Sequence, residues 1–401
     1  MKTVTEYQRI LCGYDLPKEE FDSVCHLSED LQDSGVKLLD MRIDHAGLAI
    51  IPQNYVGVIS FSNGDYLEIL PKITDLQDEE SIGKTKEVFL KMLLKVFDMD
   101  AEESGLADLD TWNSNPYEFF ISMFLREVSS IIRIGIRSGY SDVEGNETFI
   151  RGKILFSQNI RHNCLHEERM YQKYQVFDTD RPENRLIRET LRYLRTVSCD
   201  YNNRREIHRI LPYFDNCSKV LNIDEELRRC IGDRNTKHYR NAMKWCDIFL
   251  HNRTFSTFSG SDLAYTFLFP MDKVFESYVA KTLEEKLTGC TVSVQNSEKT
   301  MFDEGLDISV RPDIVVTRDG KNTVLDTKWK IIGSNDDISV ADLRQMKEYS
   351  ADFHGDAVLL YPKVEFGEET VSRRGDIVVK TAFIDLLNDF EGWWKKFDIA
   401  T

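Results

Sequence analysis

The chain has 401 residues, 41% of them hydrophobic and 30% charged, the make-up of an ordinary globular protein of two or three domains. Its start, MKTVTEYQRI, lacks the apolar core of a secretory signal, and no stretch reaches the ~18 uninterrupted apolar residues of a membrane span. Eight scattered cysteines with no CxxC pair argue against a zinc site or a disulfide scaffold and for reduced thiols in the cytoplasm, and a net charge of −17 argues against a uniformly basic surface.

That charge is unevenly spread. Residues 1–125 carry 10 basic and 24 acidic side chains, residues 126–253 carry 24 and 18, and residues 254–401 carry 17 and 26. The basic middle suits either a surface touching phosphates or a solvated helical face. The acidic N-terminal part points to a protein partner.

Along the chain, the first 35 residues are helix-compatible. Residues 36–73 break into short β-branched runs at His45-Ala46-Gly47, Pro52-Gln53-Asn54 and Ser62-Asn63-Gly64-Asp65, which predicts a meander of four strands. Helical spacing follows over 84–98, and an acidic, polar linker over 101–115. A strongly apolar helix begins at Pro116, a short β excursion lies near 149–156, and helices are expected at 184–197, 204–211, 223–230 and 237–251. In the last third an amphipathic helix covers 272–287, with Gly289 just past its end. Strands are expected at 291–294, 306–309, 314–317, 323–326, 357–361 and 376–383, with a helix at 342–353. The fold class is therefore multidomain α+β: a small β-rich domain (1–115), a helical middle (116–253) and an α/β domain with a mixed sheet (254–401).

The chemistry concentrates in residues 311–330, RPDIVVTRDGKNTVLDTKWK. Asp319-Gly320 between two β-branched runs predicts a tight hairpin. Alternation puts Asp326 and Lys328 on one face of its second strand, and pairing brings Asp313 beside Asp326. Two carboxylates and an amine suit phosphodiester hydrolysis: hard oxygens hold Mg²⁺, and the amine orients water or offsets charge on the phosphate. Glu276 on the preceding helix is a further metal-side carboxylate. Gln345 and Tyr349, four apart on the following helix, are placed to brace the ligands or reach DNA. An isolated Asp-x-Lys is commonly a surface ion pair of ~0–1 kcal/mol, so the flanking elements carry weight. The order helix–hairpin–helix–strand, closing on Leu359-Leu360-Tyr361-Pro362, matches the PD-(D/E)xK nuclease core.

With these residues in place, the sequence resembles the McrC family, nuclease subunits of McrBC modification-dependent restriction systems. The likeness rests on Leu268-Phe269-Pro270-Met271 leading to Glu276, on Arg311-Pro312-Asp313-Ile314 with Asp326-Thr327-Lys328-Trp329-Lys330, and on Gln345 with Tyr349. It extends to Ile150-Arg151-Gly152-Lys153-Ile154, to Asp180-Arg181-Pro182-Glu183-Asn184-Arg185, and to Leu67-Glu68-Ile69-Leu70-Pro71-Lys72-Ile73. The resemblance implies Mg²⁺-dependent DNA cutting by Asp313, Asp326 and Lys328, with Asp313, Asp326 and Glu276 on the metal. It also implies a McrB-like AAA+ GTPase hexamer that reads 5-methylcytosine in double-stranded DNA. That partner binds GTP in place of this chain, whose N-terminal part enters the ring and stimulates hydrolysis.

Other patterns carry less. Ile82-Gly83-Lys84-Thr85 has the end of a P-loop, but Asp78 stands where its first glycine belongs. His162 and His166 flank Cys164 at a metal-compatible spacing with no second pair. Trp393 and Trp394 suit packing against the last domain, and the basic residues from Arg228 to Lys244 suit either phosphate or solvent. Two readings stay open beside the nuclease subunit: a non-catalytic adaptor of a partner NTPase, and a stand-alone repair nuclease.

Overall fold

In the computed structural model, residues 2–395 are described apart from 34, 46, 75–77, 98–115, 231–233, 259–262, 295–298, 301–308, 365–367 and 391. The expected linker at 101–115 lies outside the described residues. The chain divides into two compact units, one joining 1–114 to 252–401 and the other formed by 115–251.

The N-terminal elements are β1 (Lys2–Thr5), β2 (Ile10–Leu11), α1 (Lys18–Asp33), β3 (Leu39–Asp44), β4 (Gly47–Pro52), β5 (Tyr55–Phe61), β6 (Tyr66–Leu70) and α2 (Glu79–Val96). The four expected strands form, but not as one meander. β3 and β4 join β2 in one sheet, while β5 and β6 belong to another. Within β5 and β6 burial is nearly continuous rather than alternating, as it is for strands covered on both faces. Ile82–Thr85 lie inside α2, whose N-terminus is capped by Asp78 accepting from the Ser81 amide at 2.7 Å. That segment is a helix start, with no phosphate loop.

The second unit contains α3 (Pro116–Ile134), β7 (Gly139–Glu147), β8 (Lys153–Ile154), α4 (Phe156–Asn163), β9 (Met170–Asp178), α5 (Pro182–Val197), α6 (Tyr201–Ile210), α7 (Ile223–Arg229) and the start of α8 (Arg240–Phe258). Phe120, Phe124, Trp245 and Phe249 form its aromatic centre. Buried Glu118 of α3 accepts from Ser198 Oγ and Asn203 Nδ2, each at 2.8 Å, and so fixes α3 to the start of α6. This unit is less purely helical than expected. β7 and β9 pair over nine residues, from Gly139↔Asp178 to Glu147↔Met170, with β8 on the far side of β9. GYSDVEGNE has too few apolar positions to show a strand pattern; it is held by pairing with β9 and by the Asn146–Asn163 side-chain bonds to α4. His162 stacks on Tyr171 and His166 pairs with Glu168, which accounts for both without a metal.

The chain then re-enters the first unit with β10 (Leu263–Pro270), α9 (Met271–Lys286), β11 (Thr291–Val294), a ribbon of β12 (Lys299–Thr300) and β13 (Ser309–Val310), β14 (Ile314–Arg318), β15 (Lys321–Thr327), α10 (Val340–Asp352), β16 (Asp356–Pro362), β17 (Thr370–Arg374) and β18 (Ile377–Ile384). β10 returns to the N-terminal sheet, ordered β1-β6-β5-β10, and runs antiparallel to β5 with Leu268 opposite Gly57. The separate domains expected at 1–115 and 254–401 are therefore joined by a shared sheet. Gly57 makes the approach possible: at φ 141° its backbone lies so close to β10 that a Cβ would sit 1.9 Å from the Phe267 carbonyl oxygen. The remaining strands form a mixed sheet, β11-β14-β15-β16-β18-β17, parallel along β15-β16-β18 and antiparallel elsewhere. One face packs on α10 through Val324, Leu359, Met346, Tyr349 and Phe383. Trp393 is buried and its Nε1 donates to Tyr278 of α9 at 3.0 Å. Among the described residues no helix is long and apolar enough to cross a membrane.

Candidate active site

The hairpin of β14 and β15 turns at Asp319 (φ 49°) and Gly320 (φ 77°), the paired left-handed residues of a tight two-residue loop. This loop fixes the register at Ile314↔Leu325. One step further along the antiparallel pair, Asp313 falls opposite Asp326. Asp313 is half-buried, and its Oδ2 accepts from the backbone amide of Thr327 at 2.7 Å and from its hydroxyl at 2.9 Å. Parallel pairing with β16 holds β15 on its other edge, with Asp326 opposite Leu359 and the Lys328 amide donating to the Leu360 carbonyl at 2.9 Å. Lys328 Nζ lies 2.6 Å from Asp326 Oδ2. The three side chains thus meet at one end of the sheet.

Their electrostatics are those of a strained site. Asp326 is 2% exposed, and burial together with the charge of Asp313 pushes its carboxyl up to about 6. Burial also raises Asp313, aided by the charge of Glu276 and opposed by the Thr327 hydrogen bonds. For Lys328, burial pulls the amine down, but its pairing with Asp326 and the charges of Asp313 and Asp342 hold it above its ordinary range.

Glu276, on α9, is buried and near enough to act on Asp313, but its Oε2 accepts from Lys273 Nζ at 2.9 Å. Among the described residues no group of three or more His, Cys, Asp or Glu side chains is gathered as metal ligands. Glu276 thus acts on Asp313 by its charge while paired with Lys273. The aspartates by themselves fit Mg²⁺, which takes one or two carboxylates and keeps several waters. Asp326 Oδ2 is paired with Lys328 Nζ, while Tyr361 Oη is buried without a hydrogen-bond partner.

Gln345 and Tyr349 meet as their spacing predicts. Gln345 Nε2 donates to the Tyr349 hydroxyl at 2.7 Å, and that hydroxyl donates to the Arg311 carbonyl at 3.1 Å. Tyr349 is 5% exposed, so it braces the approach to Asp313 from inside. Burial, then the Asp326 charge, pushes its phenol up to about 12.

Three further residues went unread in the sequence. Thr327, the middle residue of Asp-Thr-Lys, is the donor that fixes Asp313. Asp342, in the first turn of α10 behind the Ser339 cap, acts electrostatically on both Asp326 and Lys328. An acid behind an N-cap serine is a visible signal, although it reads first as helix capping. Glu6 has no local signal. It is 1% exposed, and its Oε1 accepts from Trp329 Nε1 at 2.7 Å and from the Lys72 amide at 3.0 Å. Trp329 also packs on Phe275 at 5.2 Å between ring centroids, so the N-terminal sheet is tied to the residue following Lys328.

Comparison with known proteins bears on this arrangement. A family model described as McrBC 5-methylcytosine restriction system component matches residues 50–362. No curated protein matches. Among solved structures, a chain of the refined half-complex from the tetradecameric assembly of Thermococcus gammatolerans McrB AAA+ hexamers with bound McrC superimposes with a TM-score of 0.67 at 20% identity, covering 99% of this chain and 98% of that one. A chain of the cryo-EM structure of the Thermococcus gammatolerans McrBC complex does so with a TM-score of 0.52 at 22% identity, covering 71% of this chain and 87% of that one. At such identities the likeness is one of fold. The family match spans most of the sequence, including β5, the second unit and the Asp313–Lys328 hairpin, and by it the chain belongs to the McrBC 5-methylcytosine restriction system component family.

Proposed function

We propose that this chain is the nuclease subunit of a 5-methylcytosine-dependent restriction complex, cutting double-stranded DNA by Mg²⁺-dependent phosphodiester hydrolysis on a PD-(D/E)xK core. Its partner in this reading is a McrB-like AAA+ GTPase hexamer, which binds the GTP and whose hydrolysis this chain stimulates. The observation that carries the reading is the Lys328–Asp326 pair with Asp313 fixed opposite it. A merely structural ion pair gains nothing from a second carboxylate at its side, because burying two like charges together works against folding. Such an arrangement is characteristic of a site kept for chemistry.

Asp313 and Asp326 are the carboxylates that would hold Mg²⁺. When bound, that ion polarises the scissile phosphate and lowers the pKa of its water. Thr327 supplies two hydrogen bonds that keep Asp313 aimed, and strand pairing on both edges of β15 keeps Asp326 in register. The Lys328 ammonium, held in its charged form, offsets the charge that develops on the phosphoryl oxygens. Paired with Asp326, Lys328 is also placed to orient the attacking water or help deprotonate it. Tyr349 and Gln345 act behind Asp313, through the Arg311 carbonyl.

The test is reconstitution on a plasmid carrying 5-methylcytosine. Cutting is expected only when this chain, the partner GTPase, GTP and Mg²⁺ are all present. Full cutting of unmodified plasmid by the chain alone would point to a stand-alone nuclease. Stimulated GTP hydrolysis with no strand break under any divalent metal would point to an adaptor.

A further inference from the structure

The paired aspartates have a second cation near them besides Lys328. α9 starts where β10 ends: Pro270 pairs with Tyr55, and the Met271 amide donates to the Asn54 carbonyl at 2.9 Å. The first turn of the helix is thereby fixed to the start of β5. Met271, Val274, Phe275 and Tyr278 bury its inner side, and α9 lies against β15. Lys273 stands on the outer side of that first turn. Its Nζ lies 2.9 Å from Glu276 Oε2, with the lysine side chain 61% exposed and the glutamate 8%.

A lysine and a glutamate three or four apart on a helix ordinarily form a solvated pair that contributes about 0.2–0.5 kcal/mol. In such pairs on α2, Lys84 with Glu80 and Lys91 with Glu87, the acid is as open to water as the base. The Lys273 pair differs, because its acid is buried and acts on Asp313 while its base reaches water. Pairing with Glu276 holds the Lys273 amine above its ordinary range against partial burial, and the charges of Asp272 and Asp313 add to the effect. Asp272 itself is exposed and accepts from the Lys273 amide at 2.9 Å. Asp313 therefore feels two ammonium groups that arrive on different elements, Lys328 from β15 and Lys273 from α9. An ammonium has three donors on a flexible four-carbon stem. Lys273 can keep its bond to Glu276 and hold a phosphate oxygen on its exposed side, so the buried acid is never uncovered. A point charge of this kind grips the backbone without reading bases.

We propose that Lys273 is a DNA-binding residue of the cleavage site, holding a backbone phosphate of the duplex beside the β14–β15 hairpin while Glu276 keeps its ammonium in place. The proposal rests on the reading that Asp313, Asp326 and Lys328 cut DNA, and it concerns the grip on the strand rather than the breaking of the bond. Fluorescence anisotropy of the full chain with a labelled, unmodified duplex of about 30 base pairs, in EDTA across about 50–200 mM salt, tests it. Lys273→Gln/Glu276→Gln removes one charge of each sign and so leaves the net charge unchanged. It is expected to bind about fivefold more weakly, with a log–log salt slope smaller by about 1. Lys273→Arg/Glu276→Gln keeps the cation and should bind at least as tightly as the parent. Because the two variants share Glu276→Gln, a difference between them reports on position 273 alone. If both melt well below the parent, Lys273→Gln and Lys273→Arg with Glu276 intact are compared in the same way, with the same difference in slope expected. Equal affinity and slope within the compared pair would overturn the proposal and leave Lys273 as the counter-ion of Glu276. Absence of duplex binding by the parent at the low-salt end would overturn it as well. An Asp326→Asn complex that still cuts would sink the nuclease reading and leave the Lys273 contact standing; parent-like binding by Lys273→Gln/Glu276→Gln does the reverse.

Discussion

At the residue scale, burying one carboxylate beside another opposes folding, and at Asp326 the cost shows in a carboxyl pushed up to about 6. Asp326→Asn removes that charge while Lys328, 31% exposed, can turn to water. The variant is expected to melt at least as high as the parent at pH 7.5, with a gain of about 1–2 kcal/mol in denaturant titration, while cutting is lost. A clear drop in stability would mean that the pair is structural. Glu6 gives a second residue-level prediction. Burial raises it from 4.5 to about 7, with Trp329 and Lys72 pulling the other way. A carboxyl raised in the folded state contributes its full stability below about pH 4.5, and that contribution fades as pH rises through about 7. Glu6→Gln keeps the acceptor for Trp329 and Lys72 but does not titrate. Relative to the parent it should gain about 2 kcal/mol between pH 5 and pH 8, as read from urea midpoints at both pH values. A flat difference would show that Glu6 does not titrate in this range.

At the scale of elements, what could be read in the sequence followed how local each pairing is. Asp313, Asp326 and Lys328 were legible because an Asp-Gly turn joins two β-branched runs, and a two-residue loop fixes its own register. Gln345 and Tyr349 were legible as a helical pair, although not their hold on Arg311. The Glu6–Trp329 bond spans 323 residues and has no local pattern. β7 was missed because its polar residues alternate weakly, and the return of β10 onto β5 because neither strand announces its partner. One residue did carry a hint: Gly57, in the middle of a strand, marks a close backbone approach. Gly57→Ala is expected to destabilise the protein by more than about 2 kcal/mol, since β10 must shift to admit the Cβ and the left-handed φ adds strain. An unchanged thermal midpoint would contradict the close packing of β10 on β5.

For the whole molecule, the division into units makes an asymmetric prediction. The second unit is one continuous segment with its own aromatic centre, whereas the first is assembled from both ends of the chain. Residues 115–258, which include all of α8, should therefore fold alone and unfold cooperatively by circular dichroism. Residues 1–114 alone leave the β5 edge bare where β10 belongs, and should aggregate or remain unfolded. The reverse result would mean that the shared sheet is not what holds the ends together. The same division follows the charge pattern, with an excess of basic side chains in one unit and the paired aspartates in the other.

The measurement closest to the central claim is single-turnover cleavage of a 5-methylcytosine duplex by the assembled complex with GTP and Mg²⁺, comparing the parent with Asp313→Asn, Asp326→Asn and Lys328→Met while following GTP hydrolysis in the same tubes. Each substitution should slow strand cutting by at least a hundredfold with GTP turnover within twofold of the parent. Parent-like cutting by the Asp326→Asn complex would contradict the account.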